Sequence, residues 1–147
     1  MFKYLFLIIF LFLPLNSYSS DDAISQFVYG YLKRINDFID DEKYEDAQRE
    51  LDIFVRRYFV NEQSYERALI NQLYGNFHAI QGDYEAAIPW YEKSLKFKKM
   101  PLVTGLQVRV GLSQCYFQMS DYKNTIKILE EYKAIAEKRR LLFPPTY

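Results

Sequence analysis

A short motif that returns three times limits what this chain can fold into. In each copy a turn is followed by a tyrosine, and the three tyrosines, Tyr44, Tyr84 and Tyr122, are 40 and 38 residues apart. A small residue follows each tyrosine three positions later, and a large residue follows it seven positions later. At 3.6 residues per turn these offsets share one side of an α-helix, so each motif predicts an amphipathic helix.

A second helix is predicted before each turn. Gly82-Asp83 and Ser120-Asp121 are typical of a helix end followed by an N-cap, because an aspartate can accept hydrogen bonds from the free amides of the next helix. The small residues Gly75 and Ser113 stand nine positions before a tyrosine, where they allow paired helices to approach closely. With 5 Gly and 5 Pro, the chain is poor in the turns of a β-fold. The sequence therefore predicts an all-α chain of three antiparallel helix pairs.

The second copy resembles a tetratricopeptide repeat. The small and aromatic positions of that family occur here in order, at Gly75, Gly82, Tyr84, Ala87 and Tyr91. His78 departs from the pattern, because the family usually has a tyrosine there, and the period of 38 to 40 residues exceeds the usual ~34. The resemblance implies a right-handed α-solenoid in one domain, residues 20–147, with repeats at about residues 24–60, 66–100 and 104–140.

Residues 1–19 have the pattern of a secretory signal peptide. Lys3 precedes an apolar run from Tyr4 to Leu15, and Ser17 and Ser19 are small residues suited to a cut after Ser19. A helix of this run would rise only ~18 Å, short of the ~30 Å hydrocarbon core. The prediction is an exported protein, periplasmic if the source is a Gram-negative bacterium. The alternative is a chain anchored in the membrane by an uncleaved N-terminal segment.

Charge and composition exclude several classes of function. The 19 basic and 19 acidic residues balance, so nothing in the sequence attracts a nucleic acid backbone. A single cysteine, Cys115, and a single histidine, His78, cannot supply the ligand sets of common metal sites. We therefore predict no metal, no cofactor and no enzymatic activity. An enzyme that uses Cys115 as nucleophile is the weaker alternative.

Carboxamide side chains recur on the first helix of each pair. Asn36, Asn76 and Gln114 hold equivalent positions, Gln72 lies one helical turn before Asn76, and Phe117 lies one turn after Gln114. An amide can both donate to and accept from an extended peptide backbone. The resemblance implies that these positions line a concave groove, so all five residues are predicted to bind a partner. The alternative is the ordinary polarity of a helix surface.

Together these features predict a non-catalytic protein–protein interaction module. We expect an accessory or scaffold subunit of a cell-envelope assembly that binds a partner peptide or protein in its groove. An obligate structural subunit of a larger envelope complex is the alternative, a homodimer is another, and membrane association is expected only through partners or an uncleaved signal. The apolar residues 141–147 are predicted to fold back over the last helix pair, with docking onto a partner or a second copy as the alternative.

Overall fold

The computed structural model describes residues 26–57 and 64–138. These residues form six α-helices and no strand. In chain order they are α1 (Gln26–Asp40), α2 (Tyr44–Arg57), α3 (Tyr65–Ile80), α4 (Tyr84–Leu95), α5 (Leu102–Gln118) and α6 (Tyr122–Lys138). The predicted signal peptide, residues 1–19, and the apolar segment 141–147 lie outside the described residues. Within the described ranges no helix is long and apolar enough to cross a membrane.

The described residues divide into two compact units, with the boundary between Arg67 and Ala68. The first unit contains the pair α1–α2, in which Tyr31 meets Phe54 with ring centroids 5.0 Å apart and Arg34 lies 3.8 Å from Glu50. Early residues of α1 therefore face late residues of α2, as two antiparallel helices require. Phe54 is fully buried.

The second unit contains α3 from Ala68 onwards together with α4, α5 and α6, which form the pairs α3–α4 and α5–α6. The hydroxyl of Ser94, near the end of α4, donates a 2.7 Å hydrogen bond to the carbonyl of Ala68, near the start of α3. In the next pair Nε of Arg109 lies 3.4 Å from Oε2 of Glu131. Both pairs are therefore antiparallel. The prediction of an all-α fold made of three antiparallel helix pairs is confirmed for the described residues; the right-handed stacking of the pairs stays a prediction.

The turn inside each pair has the same backbone conformation. Glu42, Gly82 and Ser120 all have a positive φ, at 58°, 80° and 60°. In each turn two amides bond back to the preceding helix; in the second, for example, Gly82 N donates to Ala79 O and Asp83 N to His78 O, both at 3.0 Å. This arrangement is the Schellman motif that ends helices. The first turn thus has the same backbone conformation as the other two, although its Glu42-Lys43 replaces their Gly82-Asp83 and Ser120-Asp121.

The predicted N-caps are confirmed in the second and third turns. Oδ1 of Asp83 accepts a 3.2 Å hydrogen bond from the amide of Ala86, and Oδ1 of Asp121 accepts one of 3.1 Å from the amide of Asn124. These bonds satisfy amides that the first helical turn leaves free. The second and third pairs are therefore each closed by a helix end and a helix start that are both specified locally.

The repeated apolar stripe is buried in α2 and α4 but not throughout α6. Leu51 and Tyr91, seven residues after their tyrosines, are 0% and 1% exposed. Leu129 holds the same position in α6 but is 46% exposed, so the shared side of the helix is not buried along the whole of α6. The physical reason is that α5 packs against α4, whereas no helix follows α6 among the described residues.

Candidate functional site

The ring of Tyr91 packs closely against two glycines in the second unit. A Cβ atom placed on Gly75 of α3 would lie 2.8 Å from carbons of this ring, and one placed on Gly111 of α5 would lie 2.8 Å from its Cζ. Real Cβ atoms do not approach so closely, so only glycine fits at either position. The ring of Tyr91 therefore holds α3 and α5 beside each other, with the predicted amide residues on both helices.

The first of those amides, Asn76, is already engaged within the protein. The hydroxyl of Tyr91 donates a 2.6 Å hydrogen bond to Oδ1 of Asn76. Burial raises the pKa of Tyr91 well above its ordinary value, which keeps the hydroxyl protonated and able to donate. Oδ1 of Asn76 thus accepts the hydrogen bond of the Tyr91 hydroxyl, while the rest of the Tyr91 side chain is packed among helices.

Gln72 and Gln114 have a different environment. Oε1 of Gln72 on α3 and Oε1 of Gln114 on α5 are both shielded from solvent, and neither has a hydrogen-bond partner among the described residues. A buried acceptor without a donor costs about 1–3 kcal/mol. These two oxygens are consequently the acceptors in this part of the chain that gain most from a donor supplied by a bound molecule.

Two predicted residues remain, one in each unit. Asn36 is in the first unit, on α1, where its Oδ1 is likewise shielded and has no partner among the described residues. Phe117 is 56% exposed near the end of α5, and its ring meets that of Tyr122 edge to face with centroids 5.9 Å apart. Its role in partner binding and that of Asn36 stay predictions.

A family comparison bears directly on these helices. Residues 68–99, which include all of α4 and most of α3, match the family model described as Tetratricopeptide repeat. This segment is a tetratricopeptide repeat. Such a repeat is typical of non-catalytic protein–protein interaction modules, which present extended surfaces to other proteins or peptides. No curated protein and no solved structure matches the chain.

The chemistry of the two reactive side chains agrees with packing roles. Cys115, next to Gln114 on α5, is fully buried, and burial raises the pKa of its thiol from 9.0 to about 12. A thiol in that environment carries almost no thiolate at neutral pH, and the thiolate is the nucleophile. Nδ1 of His78 lies 3.8 Å from Oδ2 of Asp83, the residue that caps the second helix of the repeat. The described residues contain no cluster of three His, Cys, Asp or Glu side chains able to hold a metal ion.

One residue that shapes the repeat escaped sequence reasoning. The small position of the third copy is Ser113, which is buried and donates to the carbonyl of Val110 at 2.8 Å. The close approach of α5 to Tyr91, a residue of the preceding pair, occurs at Gly111, two residues earlier. A glycine inside a helix lowers the stability of that helix, so its presence at position 111 indicates that a neighbouring side chain occupies the space of a Cβ atom.

Proposed function

We propose that the chain is an accessory or scaffold subunit of a cell-envelope assembly that binds an extended segment of a partner protein. The observation that carries the proposal is the pair of unpartnered amide oxygens on Gln72 and Gln114. They belong to two helices held side by side by the ring of Tyr91. An extended peptide offers backbone N–H groups at regular intervals, and these are the donors that the two oxygens need.

The two glutamines accept these donors after a small rearrangement. Each Oε1 is covered in the free chain, while both residues are only half-buried, so rotation of the terminal amide presents the oxygen outward. A backbone N–H of the bound segment then donates to an oxygen that has no partner among the described residues of the free chain. Phe117, largely exposed one helical turn beyond Gln114, supplies an apolar contact for a partner side chain.

The chemistry of these positions favours a peptide backbone over a charged chain end. Capture of a carboxylate would need polar or basic groups at the positions of Leu32, Gln72 and Val110. Two of these three side chains are apolar, none is basic, and Leu32 is buried. The partner segment that we propose is therefore internal to its protein and is recognised through its amides and one apolar side chain.

Selection from a library of short random peptides tests this proposal. We expect the full chain to enrich peptides that bind extended, and changing Gln72→Ala or Gln114→Ala to weaken their binding roughly fivefold each. The matched control is Lys127→Ala with Glu130→Ala, two exposed residues on α6. N-methylation of single peptide amides should reproduce the loss at two positions. Peptides that bind both glutamine variants as tightly as the unchanged chain would contradict the proposal, as would a failure to enrich any peptide.

The proposed location outside the cytoplasm rests on the signal pattern of residues 1–19. Mass spectrometry of the chain recovered from fractionated cells should find Ser20 as its first residue and the chain in the soluble envelope fraction. An intact Met1 on a chain that remains with membranes would favour the uncleaved anchor instead. Recovery of the chain from the cytoplasm would contradict export.

A further inference from the structure

One side of α6 exposes a row of large apolar side chains. Tyr122, Ile126 and Leu129 are 56%, 57% and 46% exposed, and their spacing of four and three residues places them on one stripe of the helix. We call these three residues the α6 face. A contiguous apolar stripe of this kind is unfavourable in water and is ordinarily covered.

The preceding pair shows what covers the equivalent surface. Tyr84, Ile88 and Tyr91 hold the same three positions in α4, and none of them is exposed. Helix α5 packs against α4, with Gly111 directly against the ring of Tyr91. The α6 face is therefore the surface on which the repeat architecture places the next segment of the chain.

The chain supplies an apolar segment at the corresponding place. After Lys138, where α6 ends, Arg139 and Arg140 precede Leu141-Leu142-Phe143-Pro144-Pro145-Thr146-Tyr147. The two prolines oppose a helix and favour an extended chain, which loses little entropy on docking. Four of the seven side chains are large and apolar or aromatic, as are the three of the α6 face.

We propose that residues 141–147 run back along α6 and cover the α6 face. The reach is sufficient, because nine extended residues after Lys138 span about 30 Å, whereas Leu129 and Tyr122 lie only ~14 Å and ~24 Å back along the helix axis. A segment attached to α6 also has an effective concentration on the order of millimolar, so it competes well against a second copy or a free partner. The docked segment takes the place of the helix that covers the equivalent surface of α4.

Cysteine pairs test the docking without removing its main apolar contacts. The full chain carrying Ile126→Cys and Thr146→Cys should form an intramolecular disulfide under mild oxidation at least about tenfold faster than a chain carrying Lys127→Cys and Thr146→Cys. Positions 126 and 127 are both exposed and almost equally distant in sequence from 146, but they point to different sides of α6. Chains that carry only one introduced cysteine are the control for disulfides formed with the native Cys115, which is buried. Far-UV circular dichroism checks that each variant folds.

A further pair of changes asks whether apolar contact drives the docking. Leu142→Ser with Phe143→Ser, added to the 126/146 cysteine pair, should reduce the crosslinking rate to that of the 127/146 pair. Equal rates for the two cysteine pairs, or no crosslink from either, would overturn the proposal. A disulfide-linked dimer from the 126/146 pair would overturn it in favour of a second copy as the occupant. A rate unaffected by the serine substitutions would overturn it as well, since the segment would then not be held by these side chains.

Discussion

The hydroxyl of Tyr91 donates a 2.6 Å hydrogen bond to Oδ1 of Asn76, and this bond joins α4 to α3 within the tetratricopeptide repeat. The ring that carries the hydroxyl is 1% exposed. An amide predicted from its position to face a partner therefore has a structural task, while its neighbour Gln72 has an unpartnered oxygen. The two amides on α3 thus differ, because one accepts a hydrogen bond that holds the fold and the other has no acceptor bond among the described residues.

Removing this hydroxyl should destabilise the protein. Tyr91→Phe keeps the buried ring but leaves Oδ1 of Asn76 without its donor, and we expect the free energy of unfolding to fall by about 1–2 kcal/mol. Tyr116→Phe is the matched control, because its 3.0 Å bond to Oε1 of Glu92 is exposed, and it should cost less than about 0.5 kcal/mol. Chemical denaturation measures both. If adding Asn76→Ala to Tyr91→Phe lowered stability by the full sum of the single effects, the two groups would not be coupled.

Three of the four glycines in the described helices should respond differently to replacement by alanine. A Cβ at Gly75 or Gly111 would press on the ring of Tyr91, so each change to Ala should lower the free energy of unfolding by about 1–3 kcal/mol. A Cβ at Gly30, inside α1, meets nothing within 4 Å. Gly30→Ala should therefore raise stability by about 0.5–1 kcal/mol through helix propensity alone. Thermal unfolding that shifted upwards for all three variants would contradict the tight packing of Tyr91.

The turns with a positive φ predict in which direction glycine and alanine substitutions change the free energy of unfolding. Glu42 and Ser120 adopt a left-handed conformation that disfavours a side chain, whereas Gly82 adopts it readily. Changing Glu42→Gly or Ser120→Gly should raise the free energy of unfolding by about 0.5 kcal/mol, after the greater freedom of glycine in the unfolded chain is included. Gly82→Ala should lower it by about 1 kcal/mol. Denaturation midpoints that moved in the reverse directions would show that the turns do not control stability in this way.

Alkaline pH should destabilise the protein through Cys115. Burial holds the thiol protonated up to a pKa of about 12, whereas an unfolded thiol loses its proton near its ordinary value of 9.0. Between these values the folded state binds more protons than the unfolded state, so the free energy of unfolding decreases as the pH rises above about 9. The slope from this one group approaches about 1.4 kcal/mol per pH unit.

Denaturation curves at a series of pH values measure this effect, with Cys115→Ala as the comparison. The variant should lose the decline between pH about 9 and 10 and should decline less steeply than the unchanged chain above pH about 10. The decline that remains comes from Tyr91 and Tyr116, since burial raises the pKa of both hydroxyls, to about 12 for Tyr116. An unchanged decline between pH about 9 and 10 in Cys115→Ala would exclude the thiol as its cause.

Much of the fold could be predicted because it depends on short-range rules. The spacing of Tyr44, Tyr84 and Tyr122 defines helix faces, since side chains recur every 3.6 residues whatever the rest of the chain does. Asp83 and Asp121 cap helices through amides three residues away. These features need no knowledge of distant residues, so the order and pairing of the helices were readable from the sequence.

The candidate site was only partly predictable, because its state depends on residues far apart in the chain. The sequence by itself determined that Asn76, Gln72 and Gln114 are amides on first helices of pairs. Only the tertiary structure decided that Tyr91, fifteen residues after Asn76, donates to one of them, and that the oxygens of the other two have no partner in the described part of the chain. In the same way periodicity placed Leu129 and Tyr91 at equivalent positions, but Tyr91 is buried and Leu129 is exposed. A helical period determines the direction of a side chain, whereas its burial depends on whether another segment packs there.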